Sequence, residues 1–141
     1  MKQVLFAGAL ITICLVSCSG KRVEVVDVIG TVKLKSGEPL PELKIMFSPD
    51  PDKGSTGRSS EAITDANGEF RLKYKGDSPE FGAEVGWHVV TALDVMAENS
   101  RDNPIPPRIA QKYSLVGKTG LSYEVKPGQE NKFVIELEPR N

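Results

Sequence analysis

Oxygen-bearing side chains gather in two turn-rich stretches, Asp50 and Asp52 in "SPDPDKGSTG" and Asp65 and Asn67 in "TDANGEF". Calcium accepts six to eight such oxygens, so both stretches raise the question of a cation loop. The spacing argues otherwise. A helix-loop-helix calcium site places glycine sixth and a bidentate glutamate twelfth, whereas Gly68 follows Asp65 by three. Asp, Asn and Gly in that order are also what a tight turn requires, because Asp and Asn bond nearby backbone and glycine tolerates positive φ. We therefore expect a hairpin turn there and no metal or other cofactor. His88 is the only histidine. A Ser-His-Asp triad would have this one candidate base, set in mid-strand, and zinc would lack its three or four ligands. The expectation is a structural histidine and no enzymatic activity. A lysine–asparagine crosslink between the first and last strands has candidates in Lys33 and Asn131, but it needs a buried lysine, and Lys33 falls on the polar face of its strand.

The two cysteines are placed differently. Lys2, the apolar run "VLFAGALITICLV" and then Ser17 and Cys18 have the order of a signal peptide. The run is about 13 residues, short of the roughly 20 that a membrane-crossing helix needs. Its end, "LVSC" (Leu15, Val16, Ser17, Cys18), resembles the bacterial lipobox. That resemblance implies cleavage before Cys18 and lipid on its sulfur, with Cys14 discarded, so no disulfide is available within one mature chain. Several acyl chains at about 0.8 kcal/mol per buried methylene anchor a domain almost permanently. By the proteobacterial sorting pattern, Ser19 in place of aspartate implies the outer membrane or cell surface. Ser19 to Val23 spans at most roughly 17 Å at about 3.5 Å per residue, so the domain is expected against the headgroups. The division expected is a signal peptide over 1–17, a lipidated tether over 18–23 and one domain over 24–139.

Eighteen basic and nineteen acidic residues are interspersed. There is no basic stripe for nucleic acid, which is not expected as a partner. From Val26 onward the apolar residues alternate with period two, and no sustained 3.6-residue period occurs. Val26, Val28, Gly30, Val32 and Leu34 share one face of a first strand, and Leu43, Ile45 and Phe47 one face of a second. Ser59 to Thr64 is a third. Phe70, Leu72 and Tyr74 form the cleanest alternation, the fourth. Gly86 to Asp94 is apolar on both faces in its middle and reads as a central strand, with Trp87 expected in the core. Leu121, Tyr123 and Val125, then Phe133, Ile135 and Leu137, complete seven strands. Seven short strands divided by turns predict an all-β, seven-stranded Greek-key sandwich. A connection from Val95 to Lys118 is long for a compact domain, and "IPPRIAQKY" within it suits one helical turn.

Taken together, "VIGTVKLKSGEPLPELKIMFSP", "AITDANGEFRL", "GAEVGWHVV", "IPPRIAQKYS" and "TGLSYEVKPGQENKFVIEL" resemble the small envelope lipoproteins of planctomycete-type bacteria. The resemblance spans nearly the whole chain after Cys18. It implies a carboxypeptidase-regulatory-like, transthyretin-like β-sandwich and little about activity. Transthyretin relatives that hydrolyse a purine-derived ring use several histidines and a characteristic tail; the tail here is "ELEPRN", so that hydrolase activity is not carried over.

Exposed loops on a rigid sandwich are where binding usually sits. Within 95–118, Arg108, Lys112 and Tyr113 offer cations and an aromatic to a glycan or protein; alternatively the prolines and Tyr113 pin the loop over a sheet edge. The function expected is a lipid-anchored, non-enzymatic interaction or structural module of the cell envelope, attached to the membrane through Cys18, with an envelope protein or polysaccharide as partner.

Overall fold

The computed structural model describes residues 23–77, 80–100 and 102–141. Cys18, the expected signal peptide and most of the expected tether lie outside the described residues. Ten strand segments are present: β1 (Val25–Val26), β2 (Val28–Leu34), β3 (Leu43–Pro49), β4 (Ser60–Ile63), β5 (Glu69–Arg71), β6 (Lys73–Tyr74), β7 (Ala83–Glu84), β8 (Gly86–Asp94), β9 (Ser122–Val125) and β10 (Asn131–Leu137). They form sheets ordered β10-β2-β5, β6-β4-β3-β8-β9 and β1-β7. The fold is all-β and sandwich-like.

Alternation set the inward faces of β2, β3 and β10 as expected. Val28 and Val32, then Leu43, Ile45 and Phe47, then Ile135 and Leu137 are fully buried in one core. Phe47, from the five-stranded sheet, joins the two larger sheets, its ring centroid lying 6.3 Å from Phe70 and 5.8 Å from Phe133 of the three-stranded sheet. Offset aromatic contacts in this range add to the burial of the rings themselves. Gly30 lets that contact form. A methyl group there would lie 2.4 Å from the Phe133 carbonyl oxygen and 2.6 Å from the Phe70 ring, so the strand interior carries a glycine despite its usual cost.

The strand count departs from seven at three places. The first strand breaks at Asp27 into β1 and β2, whose partners are β7 and the β10/β5 pair. The fourth breaks at Leu72: β5 pairs with β2, while β6 pairs with β4 in the other sheet. Leu72 is fully buried at this crossing, donating its N–H to the Val28 carbonyl and accepting from Gly82 N–H. β7 is two residues long and gave no periodic signal. The β10–β2 ladder is parallel. Asn131 closes the preceding β9–β10 turn, its Nδ2 donating to the Lys126 and Gln129 carbonyls and its Oδ1 accepting from Lys126 N–H.

Register places the elements at two ends. The near end holds Val23, the start of β8 at Gly86 and the end of β3 at Pro49; the far end holds Asp94, the start of β3 at Leu43 and the 95–118 connection. Eight residue steps along β8 at about 3.3 Å each put roughly 26 Å between the ends.

Candidate functional site

"TDANGEF" is a turn at the far end. Asp65 Oδ1 accepts from Asn67 N–H and Glu69 N–H, both at 2.9 Å, and Gly68 N–H reaches the Asp65 carbonyl. Gly68 has φ of 74°, and a methyl group on it would sit 2.4 Å from the Val32 carbonyl oxygen. A left-handed residue packed this closely on backbone has to be glycine. At the near end Asp50 caps a 3-10 turn, Pro51–Lys53, that contains Asp52, and Asp50 Oδ1 accepts from Asp52 N–H. The two aspartate loops sit at opposite ends of the β3–β4 ladder and do not converge on one cation. The crosslink candidates are likewise apart: Asn131 is in register with Val28 and Lys33 with Glu136, five steps or about 16 Å along the strand.

The expectation that Trp87 anchors the core is corrected. Along β8 it is His88, Val90, Ala92 and Asp94 that point inward and are buried. Trp87 is half-buried on the outer face, with the Lys53 ammonium 3.8 Å over its ring and the same ammonium bonded to Ser122. That arrangement suits a cation–π contact at a surface. His88 is 1% exposed, its ring 6.0 Å from Phe47. Nδ1 lies 3.1 Å from the Gly86 carbonyl oxygen, which assigns the ring proton to Nδ1. Nε2 then has no protein partner. Burial pushes the His88 pKa below its ordinary value, more than the Gly86 bond and the charge of Glu84 offset.

Glu84, buried on β7, accepts from the Tyr74 hydroxyl at 2.6 Å and Arg58 N–H at 3.0 Å. The hydrogen bond to Glu84, with burial, pushes the Tyr74 phenol up to about 12. This pair ties β6 to β7 and the 54–58 loop.

Arg108, Lys112 and Tyr113 all lie at the far end, each engaged by the protein itself. Arg108 donates from Nε to Asp94 Oδ2 and from Nη2 to Asp94 Oδ1, each at 2.9 Å, from its backbone N–H to Oδ2, and from Nη2 to the Pro41 carbonyl. Burial alone would raise the Asp94 pKa, but the hydrogen bonds and charge of Arg108 hold it below the ordinary carboxylate range. Tyr113 is buried on a 3-10 turn, Gln111–Ser114, the helical turn expected in "IPPRIAQKY", and its hydroxyl accepts from Glu138 N–H. Lys112 meets the Glu138 carboxylate at 2.5 Å. The Lys112 and Lys35 ammoniums together hold the Glu138 carboxyl down at about 2. Ile109 bridges Pro139, Ala110 N–H bonds Glu138, and Arg140 N–H bonds Arg108. The segment is fastened to residues 138–140, which follow β10.

Between this segment, the end of β8 and the C-terminal residues lies a cavity of about 440 Å³ lined by apolar residues including Ala92, Ile105 and Ile109 and by polar ones including Glu98, Gln111 and Arg140. That volume is in the range of small-molecule sites. Arg108, Lys112 and Tyr113 do not line it. The residues that do were not singled out from the sequence, because Glu98, Gln111 and Arg140 are brought together only by the folding of 95–118 against the C-terminal segment. α1 (Val95–Asn99) forms one wall. Among the described residues, no group of three or more His, Cys, Asp or Glu side chains is placed to hold a metal ion, and no helix is long and apolar enough to cross a membrane.

The chain matches no family model, no curated protein and no solved structure.

Proposed function

We propose that the protein is a lipid-anchored component of the bacterial cell envelope whose β-sandwich is a non-enzymatic interaction or structural module. On this reading the fold is of the transthyretin-like, carboxypeptidase-regulatory-like kind, and the protein sits at the outer membrane or cell surface. The observation that carries it is "LVSC" followed by only five residues before the domain begins at Glu24. The burial of His88 supports a non-enzymatic role, since the one histidine is engaged in the core. The test is fractionation of cells carrying Cys18→Ser. The wild type is expected in the membrane fraction and the variant out of it or as uncleaved precursor; a variant that still fractionates as a mature membrane protein overturns the reading. Crosslinking in the native envelope then identifies whether the attached partner is protein or polysaccharide.

A second reading, small-ligand or carbohydrate binding at the 95–118 segment, is favoured by the cavity beside that segment. It places recognition on Glu98, Gln111 and Arg140. Calorimetric titration with envelope glycans is expected to give binding lost in Gln111→Ala with Arg140→Ala and retained in Lys112→Ala; loss in the Lys112 variant alone would return the site to the residues first singled out.

A further inference from the structure

A sheet edge is a row of backbone N–H and C=O groups without partners. Among the described residues, the strands that end the two larger sheets are β5, β6 and β9, of three, two and four residues, and β10, of seven. β10 is the longest of these edges, and the bonds around it say which of its groups face outward. In a strand the N–H and C=O of one residue point to one side and those of the next residue to the other. The Leu137 carbonyl accepts from Lys35 N–H, on the β2 side. Asn131, Phe133, Ile135 and Leu137 therefore direct their backbone groups at β2, and Lys132, Val134, Glu136 and Glu138 direct theirs away from it. The bonds of Glu138 agree: its N–H donates to the Tyr113 hydroxyl and its carbonyl accepts from Ala110 N–H. The segment that covers the edge at Glu138 then turns off into Gln111–Ser114. Among the described residues, the outward N–H and C=O groups of Lys132, Val134 and Glu136 have no bonding partner.

The side chains of these three residues lie on the outer face of the sheet, out of phase with the buried Asn131, Ile135 and Leu137. Val134 is 54% exposed, with Lys132 two positions before it and Glu136 two after. Glu136 meets Lys33 of β2 at 3.3 Å, and Lys132 enters no ion pair with a described residue. Charges on an edge often keep other strands off, and two of one sign would do so here. Opposite signs at equal distances from Val134 have the reverse effect on one particular partner. When a second copy of β10 lies antiparallel with the two-fold axis at Val134, Val134 meets its own copy, Lys132 meets the second copy's Glu136, and Glu136 meets the second copy's Lys132. Every facing pair then exchanges both of its backbone bonds, and both charged pairs attract. An axis one residue to either side loses a facing pair and sets Val134 against a charged side chain. The open stretch also has the right length. From Glu138 onward Ala110 occupies the edge, and the second copy leaves it at Asn131, whose side chain closes the turn back to β9.

We propose that the chain self-associates through β10, two copies joining their three-stranded sheets into one continuous sheet across a two-fold axis at Val134. The occupant of the edge is a second copy of this chain, selected over a foreign strand by the charge complementarity of the edge with itself. The inference does not depend on Cys18 or on the lipid anchor. The contact is one strand wide, smaller than an obligate interface, so association is reversible.

The test is sedimentation of the full-length protein in density-matched detergent over roughly 10 µM to 1 mM, the range of weak association, with amide exchange followed by NMR on the same samples. A concentration-dependent dimer is expected, in which exchange at Lys132, Val134 and Glu136 slows relative to the monomer. Lys132→Glu alone, or Glu136→Lys alone, makes both charged contacts repulsive and should weaken dimerisation at least about tenfold. Mixing the two variants restores both contacts, so the mixture should dimerise where neither variant does. Val134→Pro removes an outward N–H that the monomer does not use, and an edge strand tolerates proline there; it should abolish the dimer and keep the monomer's cooperative unfolding. Monomer alone up to about 1 mM overturns the proposal. So does a dimer indifferent to the charge variants and to Val134→Pro, which belongs to another surface. With a photocrosslinking residue at position 134 in growing cells, the expected product is a homodimer, and an adduct with a different protein in its place gives the edge to a foreign strand and overturns the second-copy assignment.

Discussion

Arg108→Ala takes three charge-assisted side-chain bonds from the far end, two to Asp94 and one to the Pro41 carbonyl. The Asp94 side chain is 2% exposed and that of Arg108 30%, so the variant leaves a buried carboxylate with backbone N–H groups, those of residue 108 and Met96, as its remaining partners. Removing one member of a buried pair typically costs about 3–5 kcal/mol. Because water can enter where the half-buried guanidinium was, we expect the lower part of that range, about 3 kcal/mol. At a urea slope of about 1.5 kcal/mol/M this is a midpoint shift near 2 M. Urea unfolding followed by fluorescence of Trp87, the single tryptophan, measures it. Replacing both partners, Asp94→Leu with Arg108→Met, should recover most of the loss, because no uncompensated charge is left. The pair also has a pH signature. Asp94 titrates below its ordinary value when folded, so its contribution is full above the ordinary carboxylate pKa of about 3.9 and is lost as pH falls through the folded value. Without Arg108, burial is the largest influence left on Asp94, so in Arg108→Ala this contribution should be lost and tend to reverse, the buried carboxylate destabilising the variant as pH rises through the carboxylate range. A variant within about 0.5 kcal/mol of wild type, the range of ordinary surface substitutions, would refute the clamp and free Arg108 for a ligand.

Three further outcomes follow from single residues. His88 is held neutral by burial, so stability should be full above its ordinary pKa of about 6.5 and decline below it by up to about 1.4 kcal/mol per pH unit until the folded value is passed; His88→Phe should remove that slope between pH 7 and 5. Gly30→Ala forces a methyl group onto the Phe133 carbonyl and Phe70 ring and should cost at least about 2 kcal/mol by chemical denaturation, the scale of core overpacking. Asp65→Ala removes the acceptor of two turn bonds and should cost about 1 kcal/mol, with the same melting temperature change in the presence and absence of millimolar calcium; a calcium-dependent difference would make the turn a cation site.

What the chain disclosed in advance was mostly which side of each strand faces inward. Leu43, Ile45 and Phe47 needed only period two, and Gly86 and Asp94 bounded β8 in sequence as they do in space. Period two does not say which strand lies alongside. Phe70, Leu72 and Tyr74 alternate without interruption, yet the chain changes sheets at Leu72 because the backbone partners on either side belong to β2 and β4. Phase is also ambiguous where both faces are apolar. "WHVVTALD" allows either Trp87 or His88 inside, and what decides it is that Asp94, of the same parity as His88, meets Arg108 from a separate segment. That ion pair is invisible to local pattern. So is the far-end cavity, whose polar lining joins Glu98, Gln111 and Arg140 across more than forty positions. The turn at Asp65 was legible because its bonds are all within four residues.

Lipid on Cys18 can be read out by intact and N-terminal peptide mass spectrometry of protein extracted from membranes. The predicted result is a chain beginning at Cys18 and carrying the added mass of acyl groups on that residue. A mature chain beginning elsewhere, or beginning at an unmodified Cys18, would contradict it.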